Sequence, residues 1–505
     1  MNSAKGTEAG LKTLTIHADR FAPVLLCPRM RGRYAPVHVG QEVDQIWLTP
    51  TPGDPAARVV VDGVTVDAGQ PYGPIRLQPG RNAVTLEVTA EDGVTRCVFT
   101  PRLYRDYPGP AWRQVSGTSP WLPRDSAGEL VFDGRMWLLG GYTPEPARDV
   151  WCSRDGATWT HTGEVSASRS GIDIPMTWVF DGRMWVADMD GLLFASVDGA
   201  DWSLVTDQAP WRGRGAAGAA TFDGRMWVMG GAAGGRFLND VWSSGDGVHW
   251  TRELETAPWS ARMIHHTPLV MDGRMWLIGG AAMGDYYPFR TYQDVWCTED
   301  GRHWKKVLDE APWRGRIWGS TAVYRDRLWV LGGFRSEPAW ENLGDVWYSV
   351  DGVQWNELSC PATCRHSGSA NAPVVVDHSR WELRHEMSVY DHDGKLWVVG
   401  GMVWPLMNDV WSLDIAGLTF VTQPVVEDFA GTRYDYRARA DFNRSRGRLQ
   451  YRLVDSPAWL SVDSGTGLVE GVSPGPGDVT VTVEARDAAG ETACQRYTLH
   501  ILPAG

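Results

Sequence analysis

Six arginines recur at one place in a repeating pattern, each just ahead of a short apolar run: Arg124, Arg169, Arg214, Arg262, Arg316 and Arg384. A guanidinium is a planar fork of donors that fits a carboxylate or phosphate, so several forks brought to one mouth would bind an anion. A close charge pair is worth on the order of 4 kcal/mol at an effective dielectric of about 20, against about 1 in water. Unneutralised arginines therefore repel one another unless partners are supplied. In one reading each guanidinium bonds backbone carbonyls or a carboxylate of the neighbouring repeat; in the other, several point at a shared ligand. Asp125 and Glu386 lie beside two of these arginines and offer partial neutralisation.

Other reactive side chains are sparse. His265-His266 and His385-Glu386 enter corresponding strands of two repeats, and because neighbours on a strand face opposite ways, at most one of each pair faces the channel. His385, Glu386 and His266 are thus the candidates for proton transfer, set against the plainer role of structural histidines. Cys364 and His366 are weak candidates for metal ligands, too few for a closed site; Cys360 and Cys364 could instead pair with each other. Cys152 and Cys297 occupy equivalent positions in two repeats, too far apart to bridge, and read as small buried fillers. No motif calls for a cofactor, and none is expected.

The elements that carry these residues are short strands. The turn-and-tryptophan units are Asp133-Gly134…Trp137, Asp181-Gly182…Trp185, Asp223-Gly224…Trp227, Asp272-Gly273…Trp276, Asp326…Trp329 and Asp393-Gly394…Trp397. Five of them run on into Gly140-Gly141, Gly230-Gly231, Gly279-Gly280, Gly332-Gly333 and Gly400-Gly401. Asp-Gly supplies the positive φ angles of a two-residue hairpin, and a spacing of roughly 40 to 50 residues with four strands per repeat is the signature of a β-propeller. A loop then leads to Asp-Val-Trp, as at Asp240-Val241-Trp242, and a later tryptophan such as Trp250.

This order of double glycine, variable loop, Asp-Val-Trp and later tryptophan resembles the kelch repeat over residues 108–415, which implies a six-bladed propeller. The second repeat departs from it: Ala187-Asp188-Met189-Asp190 replaces the glycines and Asp-Val-Trp is missing. The sixth lacks its last tryptophan, and Ala111-Trp112-Arg113-Gln114-Val115 upstream matches His249-Trp250-Thr251-Arg252-Glu253, so the outer strand near Trp112 would close the last blade. Residues 10–105 resemble the bacterial cadherin-like β-sandwich, through Val60-Asp62-Gly63, Gly73-Pro74-Ile75 and Glu91-Asp92-Gly93. Residues 416–505 resemble bacterial immunoglobulin-like modules, through Pro457-Ala458-Trp459, Thr466-Gly467-Leu468 and Ala485-Arg486-Asp487. The expected fold is all-β, a propeller flanked by two sandwiches.

Composition agrees with this and narrows the partners. With 505 residues, 57 Gly, 31 Pro and 28 Trp, the chain suits many short strands and tight turns, and its net charge of −13 disfavours nucleic acid and anionic membrane. The first thirty residues hold no apolar run of signal-peptide length, an expectation of cytoplasmic origin, whereas the flanking modules are mostly met outside the cell. Kelch domains bind acidic peptides or acidic sugars through arginines at this position, so the resemblance implies a non-catalytic recognition protein for an acidic peptide, protein or glycan. Tyr286, Tyr287, Trp340 and Trp404 on the loops of that face would join the arginines. The alternatives are enzymatic. Some bacterial kelch propellers epimerise acidic sugars, which would use His385, Glu386 or His266. Galactose-oxidase-like copper enzymes also set a kelch propeller beside sandwiches, but with seven blades and a Tyr-His pair that this chain lacks. Tailoring of another biosynthetic product is a third.

Overall fold

The computed structural model describes residues 7–18, 24–26, 37–264, 268–283, 289–336, 340–358, 374–375 and 381–504. The fold is all-β, with no helix among these residues, and therefore no described helix long and apolar enough to cross a membrane. The chain divides into two compact units, Trp112–Leu358 with Arg380–Ile415, and Met1–Ala111 with Ser359–Ser379 and Ala416–Gly505.

The first of these units holds six four-stranded antiparallel sheets in succession. In the first sheet Gly128–Phe132, Arg135–Leu139, Asp149–Ser153 and Thr160–Glu164 pair in order. Its first hairpin pairs Phe132 with Arg135 across a two-residue loop, where Asp133 and Gly134 both take positive φ, 48° and 62°. That is the turn whose twist matches the flanking strands, and it recurs at Asp181-Gly182, Asp223-Gly224, Asp272-Gly273 and Asp393-Gly394. In the fifth sheet the left-handed pair is instead Arg325-Asp326, since Tyr324 pairs with Arg327. The sixth sheet has Ser388–His392, Lys395–Gly401 and Met407–Asp414, and its outer strand, Trp112–Ser116, comes from the beginning of the unit.

Successive sheets are stitched at both ends. The first strand of each sheet neighbours that of the next, and Ser388–His392 of the sixth neighbours Gly128–Phe132 of the first. At one end, the tryptophan after the Asp-Gly turn lies on a glycine of the following sheet. A Cβ on Gly199 would come within 2.0 Å of Trp137, one on Gly247 within 2.6 Å of Trp185, and one on Gly156 within 2.2 Å of Trp397, so only glycine fits. At the other end the second glycine of the double pair donates its N–H to the next sheet: Gly231 to the Arg262 carbonyl at 2.8 Å, Gly333 to Arg384 at 3.0 Å and Gly401 to Arg124 at 2.9 Å. Between sheets the cores are tryptophan-rich; Trp121, Trp159 and Trp397 bury together with Met136, Leu138 and Tyr390.

The second unit contains two sandwich cores. Around Leu14, Ile16, Ile46, Leu48, Val59, Val61, Leu86 and Val88 the strands alternate buried and open residues, as in Gln45–Pro52, the period of a strand with one face in a core. Gly80–Ala83 pairs with Arg102–Arg105 and Leu86–Thr89 with Arg96–Phe99. The other core gathers Tyr434, Tyr436, Val481, Val483, Tyr497 and Leu499. Gln423 joins them to Tyr107, accepting from its N–H at 2.8 Å and donating to its carbonyl at 2.9 Å.

Within its unit, the outer strand of the sixth sheet is the element most remote in sequence from its partners. Trp112, 2% exposed, packs edge to face on Trp381 with ring centres 6.0 Å apart. Trp112→Ala should cost about 3–5 kcal/mol and lower the thermal unfolding temperature; an unchanged transition would mean that this strand contributes nothing to the sheet.

Candidate functional site

The arginines do not form an open anion ring. In five sheets the guanidinium folds back onto the aspartate of its own sheet's Asp-Val-Trp. Arg124 bonds Asp149 through both terminal nitrogens, at 2.7 and 2.8 Å, and Arg214 does so with Asp240 at 2.8 and 3.0 Å. Arg262 pairs with Asp294 at 2.6 and 3.0 Å, Arg316 with Asp345 at 2.8 and 2.7 Å, and Arg384 with Asp409 at 2.5 and 2.9 Å. One terminal nitrogen of each also donates to the carbonyl of the first glycine of the double pair, Gly140, Gly230, Gly279, Gly332 or Gly400. The aspartate accepts a third bond from the Asp-Val-Trp indole, such as Trp411 to Asp409 at 2.7 Å. All five arginines are buried. Arginine and indole together hold Asp149, Asp240 and Asp345 ionised, below the usual carboxylate range, against their burial.

This corrects the anion-binding role of Arg124, Arg214, Arg262, Arg316 and Arg384: their donors are consumed within the sheet, by a carboxylate of the same repeat. Arg169 is not at that position at all. It is exposed, and Ile172, fully buried, stands there instead, its carbonyl accepting from Gly141 at 2.5 Å. With no arginine, the second sheet has no Asp-Val-Trp aspartate either; Asp188 replaces the glycine and accepts from Ser168 at 2.7 Å. The joint loss of both partners from one repeat was the sequence signal for their pairing.

Two residues beyond the arginine position, Ser126, Ile174, Ala216, Trp318 and Glu386 all take positive φ. The geometry serves an inner set of backbone bonds: Glu386 N–H donates to the Trp318 carbonyl at 2.9 Å, Ser126 to Glu386 at 3.4 Å, Ile174 to Ser126 at 3.0 Å and Ile264 to Ala216 at 2.8 Å. A left-handed conformation costs an ordinary side chain about 1–2 kcal/mol, so a Trp and a Glu here are held by their neighbours.

Those two residues frame a polar and aromatic cluster. His385 stacks on Trp318 with ring centres 5.2 Å apart and meets Phe334 at 5.3 Å. Its Nδ1 is 2.6 Å from Asn342 Oδ1, and Asn342 donates its amide to the Met402 carbonyl at 3.2 Å. With the amide oriented by Met402, Nδ1 carries the hydrogen. Nε2 then faces the Glu386 carboxyl, 3.5 Å away. Burial holds the imidazole down to about 4 and pushes Glu386 well above the usual carboxylate range, with Asp125 and Asp173 nearby raising it further. At neutral pH His385 is uncharged, and burial with the neighbouring carboxylates disfavours the charged form of Glu386.

The loops after the double glycines lie at this end, because Asp125 pairs with Tyr142, Ile317 with Phe334 and His385 with Met402. Trp340, 65% exposed, packs edge to face on Phe334 at 6.0 Å, and Trp404 is 80% exposed. His266, Tyr286, Tyr287, Cys360, Cys364 and His366 lie outside the described residues. Among the described residues no group of three or more His, Cys, Asp or Glu is placed to hold a metal ion. Of the expected site residues, the structure brings together His385, Glu386 and, through Phe334, Trp340; Trp404 lies two residues beyond Met402, which pairs with His385. Sequence reasoning missed Asn342, Trp318 and Asp173, which no repeated motif marks.

Residues 12–105 match the Cadherin-like beta sandwich domain family and residues 418–502 the Putative Ig domain family. No curated protein matches the chain. Modules of these two classes suggest an extracellular recognition or adhesion role.

If the arginines are internal braces, Arg384→Ala leaves the buried Asp409 without its partner and should destabilise by about 3–5 kcal/mol in denaturant unfolding. Arg169→Ala, at an exposed position, should stay within about 0.5 kcal/mol. Equal effects of the two would contradict the assignment.

Proposed function

We propose that residues 108–415 form a closed, six-bladed propeller of the kelch type, between sandwich modules at 10–105 and 416–505, and that this propeller is a non-catalytic recognition device. The support for closure is that the stitching runs on from the sixth sheet into the first. Gly401 bonds Arg124, Trp397 covers Gly156, and Trp112–Ser116 completes the last sheet. The fold is then a rigid scaffold that offers its loops at one end as the variable surface.

The observation that carries the recognition reading is the pair of exposed indoles, Trp340 and Trp404, on two loops joined through Asn342 and Met402 beside His385. Asn342 ties the two loops together through Met402 and His385. Large aromatic side chains on loops anchored by buried polar bonds favour binding at little entropic cost. The ligand class anticipated from arginines, an acidic peptide or glycan, loses its support, since those arginines are paired.

An array of peptides and glycans probed with the full chain tests this reading. Ligands retained by the protein should be lost on Trp340→Ala with Trp404→Ala, and kept by Val197→Ala, which removes an exposed apolar group from a turn of the second sheet. Retention of every ligand by the double variant would place recognition elsewhere.

A further inference from the structure

A second site lies apart from the loops, against the first strands of the first three sheets. Those strands are Gly128–Phe132, Met176–Phe180 and Gly218–Phe222, and they border a cavity of about 270 Å³. Along each strand the residues alternate, as its two-residue period requires. Leu130, Trp178 and Ala220 are buried in the cores between sheets, while Glu129, Thr177, Val179, Ala219 and Thr221 are the more open set and line the cavity. Gly128, Ala217 and Ala219 are too small to fill it. Its volume falls just below the about 300 Å³ at which pockets for drug-sized ligands begin, so it suits a molecule of a few heavy atoms.

The side chains of this wall offer acceptors, and their donors are already committed. Thr177 donates its hydroxyl hydrogen to the Glu129 carbonyl at 3.1 Å, and Thr221 donates its own to the Val179 carbonyl at 2.9 Å. The Trp178 indole donates to the Trp227 carbonyl at 3.0 Å. What the wall retains are the oxygen lone pairs of two hydroxyls and the carboxylate of Glu129, the single ionisable side chain among the lining residues. A carboxylate has about four acceptor positions, so a neighbour on one leaves others for a ligand. The flanking segments carry the same sign. Asp125 and Asp173 stand two residues before the lining Ala127 and Pro175, and Asp173 Oδ1, out of solvent contact, accepts no hydrogen bond. A ligand that is positively charged and donates hydrogen bonds is favoured here, whereas an anion meets like charge. We infer that this cavity binds a small primary alkylammonium ion, its N–H groups donated to the Glu129 carboxylate and the two threonine oxygens and its carbon chain against Ala217, Ala219 and Val179. The site is distinct from the loop face and goes beyond the recognition reading.

The test is titration calorimetry of the full chain with four small probes: n-butylammonium, tetramethylammonium, n-butanol and butyrate. The expected result is binding of n-butylammonium, with the other three weaker by about tenfold or more. Tetramethylammonium has the charge without a donor, butanol a donor without the charge, and butyrate the opposite charge. Glu129→Gln should weaken n-butylammonium about tenfold or more, and Ala219→Leu, which fills the cavity, should abolish its binding; thermal unfolding of each variant checks that it folds. Trp340→Ala with Trp404→Ala should leave this binding unchanged, which separates it from the loop face. On the unmodified protein alone, butanol or tetramethylammonium binding as tightly as n-butylammonium, butyrate binding best, or no binding of n-butylammonium would each overturn the inference. Undiminished binding in a folded Glu129→Gln would move the ion to another place and overturn it too.

Discussion

The arginine–aspartate pair is the constraint on which the repeated sheets depend. One guanidinium joins the loop before the first strand, the first glycine after the second strand and the aspartate that opens the third. It therefore sets the spacing of three segments with a single side chain, and the indole on the same aspartate adds a fourth contact. A buried ion pair is a weak source of net stability, because desolvation offsets much of the attraction. Its effect is selective: any register that parts Arg214 from Asp240 strands a charge in the interior. The glycines follow from the same geometry, since the carbonyl that meets the guanidinium and the N–H that bonds the next sheet leave no space for a Cβ. One added at Gly332 would approach the Arg384 carbonyl to 2.6 Å.

Once these cations are internal, the chemistry of the exposed end changes character. The five braces contribute no net charge to it. What distinguishes the fifth and sixth sheets from the others is the side chains grafted onto the shared frame. Trp318 and Glu386 stand in left-handed positions where the first and third sheets carry Ser126 and Ala216. His385 is fixed between Trp318, Phe334 and Asn342. Repetition thus builds the scaffold, and departure from repetition at adjacent sheets builds the proposed recognition surface.

This division explains what the sequence made legible. The Asp-Gly hairpins, the double glycines and the tryptophans are local or repeated, so their period and turn chemistry gave the six strand sets, and the upstream match at Trp112 gave the outer strand of the sixth. The partner of each arginine lies 25 to 32 residues away in sequence, and a one-dimensional reading has no distance with which to choose it. The second repeat held the clue, lacking Asp-Val-Trp together with an arginine in register. Asn342 and His385 are 43 residues apart and belong to different repeats; nothing periodic marks their meeting, and only the fold brings them together. Glu386 was legible as a candidate but not the upward shift of its carboxyl, which comes from burial beside Asp125 and Asp173.

The central claim, that the repeated arginines are cross-braces within each sheet, is tested most directly by a double-mutant cycle on Arg214 and Asp240. Unfolding free energies would be measured for Arg214→Ala, Asp240→Ala and the double variant. The account predicts that the double variant loses less than the sum of the single losses, with a coupling of about 0.5–3 kcal/mol. Strict additivity would contradict it, because two residues that brace one another cannot be lost independently.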